Sequence, residues 1–258
     1  MSKTLKRPEE LTMQQHAKLS PSAAKIWMEC SGMPSLASKV PYRTSLPAAS
    51  GTLIHSMTEM LLKDRLENTT LSEYWLGRTE CIDDYEITVD EDMISCAEVY
   101  VDYVNRRQKE LGAKKKLIEE KVSVNEISQH LWGTADCILI NEKFIEVIDL
   151  KSGKYPVDVE RNPQLFIYAL GALARYGNED MTVIMTIVQP RGFHKDGKIR
   201  SYEISAPNLV DWGFNTLQAA TTACEEPNPQ FNPSKETCRW CPAKDICDSY
   251  KNLFGDKT

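Results

Sequence analysis

Residues 133–151 read GTADCILI, NEK and FIEVIDLK, and this stretch decides the fold. The first and last runs are rich in Ile, Val and Phe, which are residue types that β-strands favour. A short polar turn, Asn141-Glu142-Lys143, separates them. The pattern predicts a β-hairpin with two apolar strands.

Each predicted strand carries a carboxylate, Asp136 in the first and Asp149 near the end of the second. An unpaired charge among apolar side chains is costly, so each carboxylate needs a partner. Asp149 and Lys151 are two residues apart, and a strand directs such side chains to the same face. Two carboxylates beside an ammonium group suit a divalent cation that activates water. The alternative is a surface salt bridge between Asp149 and Lys151 with no chemical role.

A helix is predicted to follow the hairpin. Asn162 and Pro163 are typical of a capping residue and the first helical position, and Gly177 is a plausible end. This helix is apolar on nearly every side, so we expect it to be buried against the sheet. Its polar exceptions, Gln164 and Tyr168, are four residues apart and share one face. A buried helix with two hydrogen-bonding groups on one face is expected to direct them at a site.

A second helix is predicted upstream, over residues 48–66, and it carries His55 and Glu59 on one face. A lone histidine on a helix is more often structural than a metal ligand. If His55 is a ligand, Glu59 is a candidate to hold its imidazole ring in one tautomer.

Four short motifs occur in order along the chain: Gly51-x-x-x-His55, Gly133-x-x-Asp136, Asp149-x-Lys151 and Gln164-x-x-x-Tyr168. Together they resemble the PD-(D/E)XK nuclease superfamily, most of all its RecB-like branch, which includes the CRISPR-associated exonuclease and the AddB nuclease domain. The segment around Gly51 is also similar to a phage-associated domain of unknown function in the same superfamily. The resemblance extends over residues 20–250.

This resemblance implies an α/β fold with a restriction-endonuclease-like core, in which helices flank a central mixed β-sheet. The implied parts are a flexible arm (1–19), a single nuclease domain (20–250) and a tail (251–258). Within that domain the nuclease core would span about 116–206. The remaining helical elements, 20–66 and 207–250, would be joined at a cysteine metal cluster.

The resemblance also implies a divalent-metal-dependent deoxyribonuclease, expected to be an exonuclease in phage or bacterial DNA replication, recombination or repair. The implied ligands of its Mg²⁺ or Mn²⁺ are His55, Asp136, Asp149 and the main-chain carbonyl of Leu150. Lys151 would orient the attacking water or offset negative charge, and Gln164 and Tyr168 would steady the lysine or the phosphate. DNA, single-stranded or with free ends, is the implied substrate. A homo-oligomer or a replication or recombination protein is a further implied partner. The alternative is a catalytically silent protein of the same fold that binds DNA ends or a recombination partner.

The composition is that of an ordinary globular protein, with 41% hydrophobic and 26% charged residues in a chain of 258. No apolar run approaches the roughly 18 residues of a membrane span. The N-terminus has no signal-peptide pattern, so we expect a cytoplasmic protein, of a bacterial host by the resemblance. The formal net charge of −6 argues against a general nucleic-acid coat, because non-specific DNA affinity comes from phosphate neutralisation. The candidate DNA contacts are Arg43, Arg191 and Lys195.

Three cysteines near the C-terminus, Cys238, Cys241 and Cys247, form a C-x-x-C run followed by a third thiol. In a cytoplasmic protein this spacing favours metal binding over disulfides. The residues leave the fourth ligand open between Cys224, the closest in sequence, and Cys30. Four local thiolates including Cys224 would hold Zn²⁺. The resemblance instead implies a [4Fe-4S] cluster held by Cys30 and the three C-terminal cysteines. The cysteines predicted to be ordinary buried thiols are Cys81, Cys96 and Cys137.

Hydrophobic periodicity and turn residues predict the other elements. We expect a loop over 33–49 and an irregular acidic insertion over 67–92. Helices are expected over 20–30, 91–111 and 207–226, and strands over 117–124, 181–188 and 199–204. Glu120, in the first of these strands, is a candidate neighbour of the metal site.

Overall fold

The computed structural model describes residues 17–66 and 69–255, and a five-stranded sheet lies at its centre. A hairpin of β1 (Thr79–Ile82) and β2 (Tyr85–Thr88) forms a separate small sheet. The central strands are β3 (Lys115–Ser123), β4 (Trp132–Ile140), β5 (Phe144–Leu150), β6 (Thr182–Val188) and β7 (Ile199–Ser205). They stand side by side in chain order, with β5 and β6 parallel and the other neighbours antiparallel.

Helices surround this sheet. Within the described ranges the α-helices are α1 (Ala24–Glu29), α2 (Met33–Ala37), α3 (Leu46–Leu62), α4 (Leu71–Trp75), α5 (Glu91–Leu111), α6 (Pro163–Tyr176), α7 (Ala206–Trp212), α8 (Gln218–Glu225), α9 (Lys235–Cys238) and α10 (Asp248–Phe254). A 3₁₀ turn (Pro21–Ala23) precedes α1, a π-helical turn (Gly213–Leu217) joins α7 to α8, and a second 3₁₀ turn (Lys244–Ile246) precedes α10.

The sheet is covered on both faces, which gives three layers. Ile145 and Val147 of β5 belong to the apolar cluster that includes α6, whereas Ile148 and Leu150 belong to the cluster that includes α3 and α5. A strand that is covered on both faces is apolar on both, which is why β5 has so few polar side chains. The predicted α/β fold, with a central mixed sheet flanked by helices, is therefore confirmed.

The helices with clear sequence boundaries lie where the sequence predicts them. The helix predicted over 91–111 is α5, and the Asp90 side chain caps it by accepting from Met93 N at 2.8 Å. Asn162 caps α6 in the same way, since its Oδ1 accepts from Gln164 N at 3.1 Å and from Leu165 N at 3.4 Å. The predicted hairpin over 133–151 is β4 and β5.

Two stretches are more regular than expected. The predicted loop over 33–49 is wrong, because α2 forms there and α3 begins at Leu46 behind the Ser45 cap. The irregular insertion predicted over 67–92 is also wrong for its described part. A capping box between Thr70 and Glu73 starts α4, and the hairpin of β1 and β2 follows. Cys81 lies on that hairpin and is exposed, which corrects its prediction as a buried thiol.

Both ends of the described part of the chain contribute to the fold. Residues 1–16 of the predicted arm lie outside the described residues, whereas Leu19 is fully buried in the core. The predicted tail begins as helix, because α10 continues to Phe254. Across 17–66 and 69–255, every helix is too short or too polar to cross a membrane.

Candidate metal centre

The site forms where β4 and β5 separate. Their backbone ladder ends at the pair Cys137 and Ile148, and beyond it the side chain of Asp136 takes the place of a backbone acceptor. Its Oδ2 accepts a hydrogen bond from Leu150 N at 2.7 Å. The main chain therefore fixes Asp136 at the end of the hairpin, next to Asp149.

Lys151, Asp149 and Gln164 form one connected group, which confirms the prediction that the first two share a face. Lys151 Nζ lies 2.8 Å from Asp149 Oδ2 and donates to Gln164 Oε1 at 2.7 Å. The amide of Gln164 donates to Asp149 Oδ1 at 3.1 Å and approaches the Tyr168 hydroxyl at 3.4 Å. Burial raises the pKa of Tyr168 well above its usual value, so its hydroxyl stays neutral. The polar face of α6 is thus aimed at the carboxylate of Asp149 in β5 and at the ammonium group of Lys151 directly after it, as its pattern predicts.

The packing of α6 against β4 leaves no room for a side chain at Gly133. A Cβ atom at position 133 would lie 2.9 Å from the Tyr168 ring and 2.9 Å from the Pro21 ring. Carbon atoms do not pack at such a short distance, so an added Cβ would force the Pro21 or Tyr168 ring to shift. The glycine of the Gly133-x-x-Asp136 motif therefore lets α6 approach β4.

His55 reaches the site from the opposite layer, on α3. Its Nδ1 lies 3.4 Å from Asp136 Oδ1, and its side chain is 30% exposed. Burial lowers the pKa of His55, but the Asp136 carboxylate outweighs it and, with Glu119 and Asp149, raises the value to about 9. Gly51 lies one turn earlier, where an added Cβ would be 2.9 Å from Ser152 Oγ. Position 51 of α3 therefore faces Ser152, in the segment that follows β5, although a serine hydroxyl could rotate away from an added Cβ.

Glu119 on β3 completes a group able to hold a cation. One ligand atom from each of His55, Glu119 and Asp136 lies within 4.8 Å of the others. Burial and the Asp136 charge raise the pKa of Glu119 to about 8. Burial would also raise the pKa of Asp136, but the His55 ring and the Leu150 N–H lower it below its usual value. The three possible ligand atoms are one imidazole nitrogen and two carboxylate oxygens.

Sequence reasoning missed Glu119 and favoured its neighbour. Glu120 points away from the site and accepts from Arg175 at 2.7 Å and from the Tyr176 hydroxyl at 2.6 Å, so its prediction is wrong. Glu119 has a left-handed φ of 54°, and the β3–β4 pairing skips it. Left-handed backbone in a non-glycine residue is uncommon and costs energy. The consecutive acids were visible in the sequence, but the strand register that selects between them was not.

Glu59, a candidate to hold the imidazole ring of His55, does not take that role in the structure. Its carboxylate instead pairs with Lys63 at 2.8 Å and with Arg65 at 3.4 Å. The group that orients His55 is the Asp136 carboxylate.

Asp149 lies beside the three-residue group and is almost completely buried, with 3% of its side chain exposed. Burial raises its pKa, and Lys151 only partly offsets that effect. The contact of its Oδ2 with Lys151 lies outside hydrogen-bond geometry, so among the described residues this oxygen has no hydrogen-bond partner. A buried carboxylate oxygen without a hydrogen bond needs an explanation, and a bound cation would provide one. Together with one nitrogen and two further acids, it fits Mg²⁺ or Mn²⁺, which prefer oxygen-rich sites.

The cysteines predicted as cluster ligands lie near one another. Asn232, shortly before α9, donates its backbone N–H to Cys30 Sγ at 3.3 Å, which brings the C-terminal segment to the end of α1. Burial raises the pKa of Cys241, and the thiols of Cys238, Cys30 and Cys247 raise it further. These four thiols therefore lie near enough to influence one another, but among the described residues no three of their sulfur atoms all lie within 4.8 Å of one another. A metal ion or cluster bound by them stays a prediction.

Cys224, the other candidate for the fourth ligand, has a different role in the described structure. It is buried in the core, and its thiol donates to the carbonyl oxygen of Trp27 at 3.5 Å. Burial is the main reason that the pKa of Cys224 is raised, to about 11, and the charges of Glu225 and Cys30 raise it further.

The three candidate DNA contacts differ in their surroundings. Arg191 is largely occupied, because it pairs with Asp92 at 2.8 Å and donates to the Ser152 carbonyl at 3.4 Å. Arg43 and Lys195 are exposed. DNA contact by these residues stays a prediction, as does the role of the Leu150 carbonyl.

Comparison with known protein families identifies the family of this chain. The family model described as "Protein of unknown function (DUF2800)" matches residues 16–253. The chain belongs to the DUF2800 family. The matched segment contains the candidate metal centre, from His55 to Tyr168, as well as Cys30, Cys238, Cys241 and Cys247.

Two solved structures are similar to this DUF2800 protein at low identity. One is from Eubacterium rectale and is described as a "Putative exonuclease"; it is 11% identical, with a TM-score of 0.48, and the match covers 93% of this chain and 89% of that one. The other is the protein SSO0001, which is 12% identical with a TM-score of 0.32. The match covers 88% of this chain and 96% of SSO0001.

Proposed function

We propose that this protein is a divalent-metal-dependent deoxyribonuclease that hydrolyses phosphodiester bonds, acting as an exonuclease in phage or bacterial DNA metabolism. The observation that carries the proposal is the placement of Lys151, 2.8 Å from Asp149, beside the group His55, Glu119 and Asp136. A salt bridge alone would not need three more ionisable side chains from three separate elements. Gathering like charges in a partly buried site is costly, and such clusters are concentrated at functional sites.

The residues of the chain divide the work between two sides of the site. His55, Glu119 and Asp136 would hold Mg²⁺ or Mn²⁺, with Asp149 and the Leu150 carbonyl as further ligands. When bound, such a cation supplies a lowered pKa for water and charge stabilisation at the scissile phosphate. Binding of the cation would require His55 and Glu119 to lose protons, because the raised pKa values of both groups, about 9 and about 8, keep them protonated near neutral pH in its absence.

Lys151 acts on the phosphate side. Gln164 and Asp149 hold its ammonium group from two directions, at 2.7 and 2.8 Å, so it is preorganised before DNA binds. A fixed cation at this place offsets the negative charge that grows on the phosphate in the transition state. Gln164 in turn is held by the rigid, buried α6 and by the neutral Tyr168 hydroxyl.

The test is a digestion time course on end-labelled single- and double-stranded DNA with Mg²⁺, Mn²⁺ or EDTA. We expect cleavage that requires the cation and that Asp136→Ala and Asp149→Ala abolish. Glu142→Gln is the matched control, since Glu142 lies in the turn at the other end of the same hairpin and is exposed. Cleavage that persists in both alanine variants would remove this site from the mechanism.

The same experiment separates the proposal from a catalytically silent DNA-binding protein of this fold. The net charge of −6 is the observation that favours the silent protein. It would bind Mn²⁺ and DNA ends but leave the labelled DNA intact under every metal condition.

A further inference from the structure

Three neighbouring side chains form an exposed group that we call the aromatic platform: Tyr155, Arg239 and Trp240. The two rings meet edge to face, with centroids 6.0 Å apart. The Arg239 guanidinium lies 4.6 Å from the Tyr155 ring and 5.2 Å from the Trp240 ring, and it donates to the Tyr155 hydroxyl at 3.1 Å. The platform joins the loop after β5 to the cysteine loop after α9.

Fold stability does not account for the platform. Tyr155 is 56% exposed and Trp240 is 63% exposed, so most of their apolar area stays in water. Cation–π contacts at exposed sites add little to the stability of a fold. Large aromatic side chains that remain exposed and pre-arranged around an arginine are instead typical of surfaces that bind a partner with flat, stackable groups.

The platform lies close to the metal centre. Tyr155 is four residues after Lys151, and an extended chain of that length spans at most about 14 Å. Gln189 holds the loop between them, donating to the carbonyl oxygens of Gly153 at 2.9 Å and Tyr155 at 2.7 Å. A strand that lies on the platform would therefore reach the metal centre within a few nucleotides.

The cysteine cluster positions the other half of the platform. Trp240 stands between Cys238 and Cys241, whose turn is closed by a backbone hydrogen bond of 3.3 Å from Cys241 N to the Cys238 carbonyl. Any ion or cluster bound by these thiols would fix Trp240 against Tyr155. The loop that carries Cys238 and Cys241 thus also places Trp240 next to Tyr155, on the side from which a strand would reach the metal centre.

Positive side chains border the platform although the chain as a whole is acidic. Lys154 precedes Tyr155 in the chain and is exposed, and Arg239 adds a second exposed cation within the platform itself. Asp158, three residues after Tyr155, pairs with His194 at 2.9 Å, and the exposed Lys195 follows His194 in the chain. Phosphate groups of a strand whose bases stack on the rings would pass these cations. Basic residues that follow the backbone beside aromatic rings that stack the bases are the combination used for single-stranded nucleic acid.

We propose that the aromatic platform binds unpaired bases of single-stranded DNA and leads that strand into the metal centre. This inference rests on the proposed nuclease function and names its substrate class. In duplex DNA the bases are already stacked on each other, so they are not available to the rings. The platform therefore selects single strands or frayed ends.

The test measures binding of fluorescently labelled oligothymidylate and of a labelled duplex by anisotropy, in EDTA so that no cleavage occurs. We expect Trp240→Ala and Tyr155→Ala each to weaken binding of the single strand by about 5- to 150-fold, the effect of losing one stacked base, and to leave duplex binding unchanged. Trp240→Phe keeps a stacking ring and should restore most of the affinity. Phe214→Ala is the matched control, because Phe214 is as exposed, at 57%, but lies on the π-helical turn after α7.

The outcomes distinguish this inference from the proposed function. Unchanged single-strand affinity in Trp240→Ala and Tyr155→Ala, with metal content and melting temperature as in the wild type, would overturn the platform while leaving the nuclease intact. Loss of affinity in both, in a protein that never cleaves DNA, would support the platform and overturn the nuclease. A wild-type protein with no measurable affinity for oligothymidylate would overturn the platform directly.

Discussion

Lys151 has a position that a single surface ion pair would not require. Its ammonium group is held by a nearly buried carboxylate, Asp149, and by the amide of Gln164, which itself contacts that carboxylate. Each member of this triangle restricts the other two, so the ammonium direction is set before any ligand arrives. In the proposed function this arrangement assigns Lys151 to the phosphate and leaves the cation to other side chains.

Replacing Lys151 with alanine should therefore separate cation binding from cleavage. We expect the cleavage rate to fall by about 10²–10³, the usual effect of removing one preorganised charge-stabilising group. Mn²⁺ affinity, measured by calorimetry, should be kept, because His55, Glu119 and Asp136 remain. The control is Lys114→Ala, since Lys114 is exposed at the far end of the sheet. Equal losses of Mn²⁺ affinity and cleavage in Lys151→Ala would contradict this division.

The raised pKa values of His55, about 9, and Glu119, about 8, predict that the cation competes with protons. Both values exceed the usual 6.5 and 4.5, so the metal-free folded protein holds extra protons between about pH 5 and 9. Mn²⁺ must displace them, and its affinity should rise with pH through this window. Calorimetry at pH 7 in buffers of different ionisation enthalpy should show proton release, reduced by about one proton in Glu119→Gln. Mn²⁺ binding that is independent of pH and buffer would contradict the ligand assignment.

At the scale of elements, two close approaches of helix to sheet bring the site together. Gly133 lets α6 reach β4, and Gly51 faces the Ser152 side chain in the segment after β5. Since α3 and α6 lie on opposite faces of the sheet, the site exists only where both layers pass the end of the β4–β5 hairpin. The spacing between helix and sheet is therefore a condition for function as well as for packing.

Gly133→Ala tests this spacing. The added methyl group would meet two rings at 2.9 Å, so we expect a loss of about 1–3 kcal/mol in the free energy of unfolding. We also expect weaker cleavage, because Tyr168 and Gln164 would move with α6. Urea unfolding measures the first effect. Gly153→Ala is the control, since nothing lies within 4 Å of its added Cβ; equal stability changes in the two variants would refute the packing argument.

The sequence was sufficient for the elements whose signals are local. The α6 cap, the bounds of α5 and the shared face of Asp149 and Lys151 all follow from short-range patterns, and all are present. Glu119 could not be chosen over Glu120, because that choice depends on the local backbone of β3 and its register against β4. The hairpin of β1 and β2 was missed because its strands are short and mostly polar, which masks the period-2 pattern.

At the scale of the whole molecule, the cysteines connect distant parts of the chain. Cys30 follows α1, whereas its three neighbours lie in the last 21 residues. A metal ion or cluster shared by these thiols would close a loop of about 200 residues, and crosslinks that close long loops restrict the unfolded chain most. The fold would then depend on the metal content of the protein.

Cys30→Ser should therefore yield a protein with less bound metal and lower stability. We expect a colourless preparation and a loss of at least about 2 kcal/mol in the free energy of unfolding, as for other long-range crosslinks. Metal analysis for iron and zinc, with thermal unfolding, provides the measurement. Cys224→Ala should keep the full metal content, and Cys81→Ser, which is exposed, should change neither quantity. Full iron content in Cys30→Ser would assign the fourth ligand to another residue.

We propose that side chains from three elements hold one divalent cation beside Lys151. Anomalous diffraction from crystals soaked in Mn²⁺ tests it most directly. We predict one strong peak within roughly 2.0–2.6 Å of His55, Glu119 and Asp136 ligand atoms. A manganese ion bound elsewhere, or no peak at a Mn²⁺ concentration that supports DNA cleavage, would contradict the account.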